Sequence, residues 1–123
     1  MPAPDGPSGL LITGDLFFSS KVTGTAAALG MQIDVAGNPA DAVSRIADGG
    51  YRVVIVDLAA PGLSLVDLMA TMPADRRPKV IAFAAHVETG RLEAARDAGC
   101  DLVLPRSRFS AELPRLLADF LAD

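Results

Sequence analysis

The chain has no tryptophan and only one tyrosine, one histidine and one cysteine in 123 residues, and each shortage removes a class of function. A lone thiol, Cys100, forms no intrachain disulfide and builds no multi-thiolate metal site. With Tyr51 alone and no Trp, the rings that would sandwich a flavin are missing. Basic residues are also too few and too scattered for a nucleic-acid surface. Eleven Lys and Arg against fifteen Asp and Glu give a net charge of -4, so no nucleic-acid partner is expected. There is no apolar run of about 18 residues, the length a membrane-spanning helix needs, so no membrane partner is expected. Residues 1–8 have neither the basic nor the apolar region of a secretion signal, so a cytoplasmic location is expected. Neither a GxxxxGK[ST] phosphate loop nor a GxGxxG fingerprint occurs.

What is present is alternation. Residues 1–8 carry Pro2, Pro4 and Pro7 with little to bury, and read as a disordered lead-in to one domain over 9–123. Half of the chain is apolar, and its core must come from Ala, Val, Leu and Ile. A first strand is expected over 10–13, then a helix over 19–29 closed by Gly30. A second strand over 31–35 leads to Asn38-Pro39, an N-cap followed by proline at the first helical position. Val43, Ile46 and Ala47 should face inward from that helix, which Gly49-Gly50 ends. Val53 to Val56 are all β-branched, as in a strand buried on both faces of a parallel sheet. Leu65, Leu68, Met69 and Met72 recur at helical spacing from a start near Ser64. A fourth strand over 79–84, a helix over 88–98 stopped by Gly99, and a fifth strand over 101–104 follow. Ser110 is expected to cap a last helix with Leu113, Leu116, Leu117, Phe120 and Leu121 on one stripe.

Five strands each followed by a helix specify an α/β fold, a parallel sheet between two helix layers. Right-handed crossovers favour the five-stranded, flavodoxin-like (βα)5 order 2-1-3-4-5. In that order chemistry gathers at the carboxyl ends of strands 1, 3 and 4. Those ends carry Gly14 and Asp15, then Asp57, then Ala84, Ala85 and His86. An acid directly after four β-branched residues either caps the next loop or belongs to a site. Pattern alone leaves both readings open.

The segment Val53-Val54-Ile55-Val56-Asp57, with Pro61 four positions on, resembles the third strand of bacterial response-regulator receiver domains. Gly14-Asp15 is similar to that family's acidic pair, Gly99-Cys100-Asp101 to its Gly-Ala-Asp, and Pro105-Arg106 to its strand-5 Lys-Pro step. The resemblance covers residues 9–122. It implies a two-component or phosphorelay signalling module, not an enzyme, with Asp57 as the phosphoacceptor. It implies magnesium held by Asp15, Asp57 and the carbonyl of Ala59. It also implies a histidine kinase or other signalling protein as partner. The face of the fourth helix, fifth strand and fifth helix, bordered by Arg106 and Arg108, would serve partners or a homodimer.

The chain departs from that pattern at four places. Gly14 stands in for the first acid, so any magnesium site is weak. Ala84 occupies the Ser/Thr position, Val103 the aromatic position and Arg106 the Lys position. Without the hydroxyl and the ring, phosphorylation has no route to an output surface. An Arg can instead make a two-pronged contact with the Asp57 carboxylate. These departures point to a pseudo-receiver locked by an Asp57–Arg106 pair, with residual phosphorylation of Asp57 as the competing reading. From a different class, a flavodoxin-like domain binding a small ligand or cofactor is the alternative. His86 reads as a solvated loop residue, and Cys100 as a small buried filler.

Overall fold

The computed structural model describes residues 8–48 and 50–121. Five strands, β1 (Ser8–Ile12), β2 (Gln32–Ala36), β3 (Val53–Asp57), β4 (Lys79–Ala84) and β5 (Leu102–Pro105), form one sheet in the order β2-β1-β3-β4-β5. Every neighbouring pair is parallel. Six α-helices connect or follow them: α1 (Leu16–Ala28), α2 (Pro39–Asp48), α3 (Leu65–Ala70), α4 (Thr89–Asp97), α5 (Arg106–Ala111) and α6 (Leu113–Leu121). A 3-10 turn over Ala74–Arg76 leads into β4.

The strand at the centre explains the rest. All five residues of β3 are buried, and successive side chains point to opposite faces. Val54 and Val56 join one core with Leu68, Met72 and Leu92, from α3, its exit and α4. Val53 and Ile55 join the other with Val22, Phe109, Leu113 and Leu117, from α1, α5 and α6. Burying each such side chain contributes about 1.5–3 kcal/mol over leaving it exposed. A charged residue inside β3 would therefore disrupt two layers at once.

The cap chemistry is largely as the sequence suggests. Asn38 accepts from the Asp41 amide at 2.8 Å and Ser64 from the Asp67 amide at 3.4 Å. Gly30, at φ 75°, closes α1 with bonds from its own amide to Ala27 and from Met31 to Ala26. This double bond needs a left-handed residue at position 30, which glycine supplies without a Cβ penalty.

Three expectations need correction. First, α1 begins at Leu16, because Asp15 caps it by accepting from the Phe18 amide at 3.0 Å. The apolar Leu16-Phe17-Phe18 hid the start, since only Phe18 of the three turns inward. Second, the last helix does not start at Ser110. The chain turns helical directly after Pro105, and Ser110 lies inside α5. Pro114 has no N–H to return to Ser110, and α5 and α6 part at Glu112. Third, Ala47 is exposed, and Ala42 joins Ile46 on the buried face of α2. The expected disordered lead-in lies outside the described residues except Ser8, which opens β1. Cys100 is half-buried against the α4 side of the core.

Candidate functional site

The sheet topology brings the ends of β1, β3 and β4 to one edge, and Asp57 is the residue at its centre. It ends β3 and is only 3% exposed. A carboxylate so removed from water must find donors, and three groups provide them. Its Oδ1 accepts the Ala59 amide at 3.0 Å. Its Oδ2 accepts the Thr13 hydroxyl at 2.7 Å and faces Nη2 of Arg106 at 3.4 Å. The Ala60 amide closes the turn onto the Asp57 carbonyl at 3.0 Å.

Strand register explains why Thr13 is the neighbour. Ile12 pairs with Val56, so the next residue on each strand stands side by side. Thr13 is 2% exposed, and its oxygen also accepts the Asp15 amide at 3.1 Å. The hydroxyl thus relays between the turn into α1 and the buried acid. Its position in sequence, a polar residue closing Leu-Leu-Ile, was the only sign of this role.

Arg106 is the first residue of α5, placed beside the edge by β5. Its fork is divided. Nη2 meets Asp57 while Nη1 lies 3.5 Å from Oδ2 of Asp15. The expected two-pronged contact with Asp57 alone is not what forms. Asp15 is held at the α1 N-cap by its other oxygen, and from there it takes one arm of the guanidinium. Below, the guanidinium carbon sits 5.3 Å from the Phe18 ring centre and 5.5 Å from that of Phe83. Aromatic faces favour a cation there. Phe18, Phe83 and Phe109 form a contiguous ring cluster with centroids 4.8–5.7 Å apart, which fixes the platform. The Nε atom is buried and has no hydrogen-bond partner among the described residues.

Other sequence-singled residues fall as follows. Ala84 ends β4 beside Pro105 and is buried, offering no hydroxyl to the site. Val103 is buried in the core on the α4 side. Ala59 engages Asp57 through its N–H. His86 is exposed and borders a cavity of about 410 Å³ with Phe18, Ala85, Arg106, Ser107 and Ser110. Lys21 of α1 bonds the Ser110 hydroxyl nearby. A second cavity of about 470 Å³ lies between the β3–α3 loop and α4, where Arg91 donates to the Leu58 carbonyl at 3.2 Å.

The residues do not fit a magnesium site. Magnesium takes oxygens in a near-octahedral array, several of them waters, around one or two carboxylates. Here both acids that could serve, Asp15 and Asp57, already face the Arg106 guanidinium, whose positive charge opposes a dication. No group of three or more His, Cys, Asp or Glu is placed to hold a metal among the described residues.

No protein-family model matches the chain, and no curated protein sequence matches it. Solved structures do. The receiver domain of the Francisella response regulator 1452 superposes with a TM-score of 0.78 at 20% identity, over 94% of this chain and 96% of that one. The receiver domain of sensor histidine kinase PA1611 from Pseudomonas aeruginosa gives 0.80 at 21%, over 96% and 99%, and carries magnesium in its active-site cleft. A chain from the complex of the CheA3 P1 domain with CheY6 of R. sphaeroides gives 0.74 at 15%, over 98% and 100%. At these identities the likeness establishes the fold. The chain has the CheY-like receiver fold over its whole described length, in the strand order its sequence implies.

Proposed function

We propose that this chain is an atypical receiver module of two-component or phosphorelay signalling, acting by protein contact with Asp57 held in one state without phosphate. The observation that carries the reading is Arg106, whose fork spans Asp15 and Asp57. Phosphoryl transfer to Asp57 would need its Oδ oxygens free for in-line attack and a cation to offset the accumulating charge. In this chain those oxygens are committed to Thr13, Ala59 and Arg106. Ala84 supplies no hydroxyl to follow a phosphoryl group, and Val103 supplies no ring to turn.

Contact with another protein is supported by where apolar surface is left over. Five large apolar side chains are exposed among the described residues. Four of them, Leu16, Phe17, Val66 and Val87, stand in the first turns of α1 and α3 and in the β4–α4 loop. All three segments rim the edge that holds Asp57. The expected partner is a histidine kinase or another signalling protein, docked on this rim. The face of α4, β5 and the last helix, observed as α5 and α6, was the earlier expectation for a partner or a homodimer, and it shows charged side chains such as Arg91, Glu93, Arg96, Arg108 and Arg115. No substrate turnover is proposed.

Intact-mass measurement after incubation with acetyl phosphate and magnesium tests the reading, with Asp57→Asn as control. No phosphoryl adduct should form on either protein. An adduct on the wild type that the Asn variant lacks would overturn it.

A further inference from the structure

We infer that the cation of this site is built into the chain: the Arg106 guanidinium supplies the positive charge that Asp15 and Asp57 require, so the domain neither needs nor takes a divalent ion there. The inference deepens the proposed function and rests on its reading of Asp57 as an acid held without phosphate.

The first support is geometric. One guanidinium lies between two carboxylates, at 3.5 Å from Asp15 and 3.4 Å from Asp57, and one of those acids is almost wholly buried. A unit charge within a few ångströms of both oxygens strongly opposes the arrival of a second cation. The second support is the way Arg106 is held. It is anchored by its place directly after β5, at the first residue of α5. Its guanidinium carbon lies over the Phe18 and Phe83 rings, themselves in contact with one another and with Phe109. Its Nε is buried there and has no hydrogen-bond partner among the described residues. The third is arithmetic. Two carboxylates and one guanidinium leave one net negative charge, and Thr13 and the Ala59 amide spread it by donating to Asp57. Without Arg106 the same pocket would hold two negative charges, a demand that a proton or a dication would meet.

The test compares wild type with Arg106→Ala and Arg106→Gln, and with each combined with Asp57→Asn. Thermal unfolding and titration calorimetry are run with MnCl2 and MgCl2 against NaCl of matched ionic strength, with no phosphodonor present. Wild type should keep its unfolding temperature in either metal and after EDTA. At least one folded Arg106 variant should bind Mn2+ on the order of tenfold more tightly than wild type, since one like charge has gone. It should gain unfolding temperature with metal, and the added Asp57→Asn change should abolish that gain. Metal stabilisation of wild type that depends on Asp57 would overturn the inference. So would folded Arg106 variants that respond to metal no more than wild type. Because phosphodonor is absent, either result is independent of whether Asp57 accepts phosphate.

Discussion

Thr13 donates its hydroxyl to Oδ2 of Asp57 at 2.7 Å, across 44 positions of sequence, with both residues almost fully buried. The two are adjacent because β1 and β3 pair in parallel with Ile12 level with Val56. A threonine in that place serves an acid with almost no access to water. The contact therefore belongs both to the stability of the sheet edge and to the state in which Asp57 is kept.

Replacing Thr13 by Val keeps the shape and removes the donor. Hydrogen bonds to charged groups contribute about 1.5–3 kcal/mol, and a buried acceptor left short of a partner loses toward the upper part of that range. Thr13→Val should lower stability by about 2 kcal/mol, read as a shift in the urea midpoint with the slope unchanged. Thr13→Ser should restore most of it. An unaltered midpoint in the Val variant would mean that Asp57 finds another donor.

The residues of this edge differ in how far sequence announces them. Asp57 is conspicuous because it follows four β-branched residues that only a doubly covered strand accommodates. Arg106 was placed beside Asp57 only by its resemblance to the receiver family's strand-5 lysine position, because the strand order by itself points to the ends of strands 1, 3 and 4. Thr13 was read as the end of a strand, since nothing local says that its hydroxyl meets an acid on another strand. The role of Phe18 was hidden for a related reason. Leu16, Phe17 and Phe18 are alike in hydrophobicity, and only the helix that Asp15 starts decides which ring turns inward. The break between α5 and α6 escaped because the stripe of Leu113, Leu116 and Leu117 is continuous and buried.

Glycines in two settings should respond oppositely to alanine. A Cβ on Gly9 in β1 would stand 2.8 Å from Cγ1 of Val53 and 3.2 Å from its carbonyl oxygen. The neighbouring backbone cannot retreat, so Gly9→Ala should cost about 1–3 kcal/mol through overpacking. Gly24 lies inside α1 with nothing near its missing Cβ. Gly24→Ala should add about 0.5–1 kcal/mol through helix propensity. Denaturation curves of the two variants, measured side by side, should bracket the wild type.

Tyr51 donates to Oδ2 of Asp34 at 2.8 Å, at the side of the sheet where Arg45 also meets Asp34 and Asp41. Burial first, and the Asp34 bond second, push its phenol above the ordinary 10.0. A raised pKa means the folded protein favours the neutral form. The stabilisation is therefore complete below pH 10 and is lost as pH rises through the higher folded value. With no tryptophan present, the ultraviolet signal of phenolate reports this one group. Its midpoint should lie above 10 in the folded protein and return to the ordinary value in denaturant. Tyr51→Phe should cost about 1 kcal/mol at neutral pH.

Burial also raises the thiol of Cys100, with Asp101 beside it adding in the same direction. The thiolate is the reactive form, so alkylation by iodoacetamide should run slower than for a free thiol at the same pH. The rate should rise with pH to a midpoint above 9.0, the ordinary value for such a group. Fast labelling at neutral pH would show that the fifth strand opens at its start.

The strength of the Asp57–Arg106 pair follows from its unequal exposure. The Asp57 side chain is 5% exposed and that of Arg106 is 38% exposed. Exposed ion pairs contribute about 0.2–1 kcal/mol, whereas removing one partner of a buried pair costs about 3–5. Water reaches one end of this pair only, and the 3.4 Å separation is longer than an ideal charge-assisted bond. A double-mutant cycle of Asp57→Asn and Arg106→Met should therefore give a coupling of about 1–2 kcal/mol, between those limits. The single Arg106→Met change should cost more than Asp57→Asn. It leaves a buried carboxylate short of a cation, while the Asn variant leaves Arg106 still paired with Asp15. Reversal of that order would mean that Asp15, and not Asp57, is the acid that holds Arg106 in place.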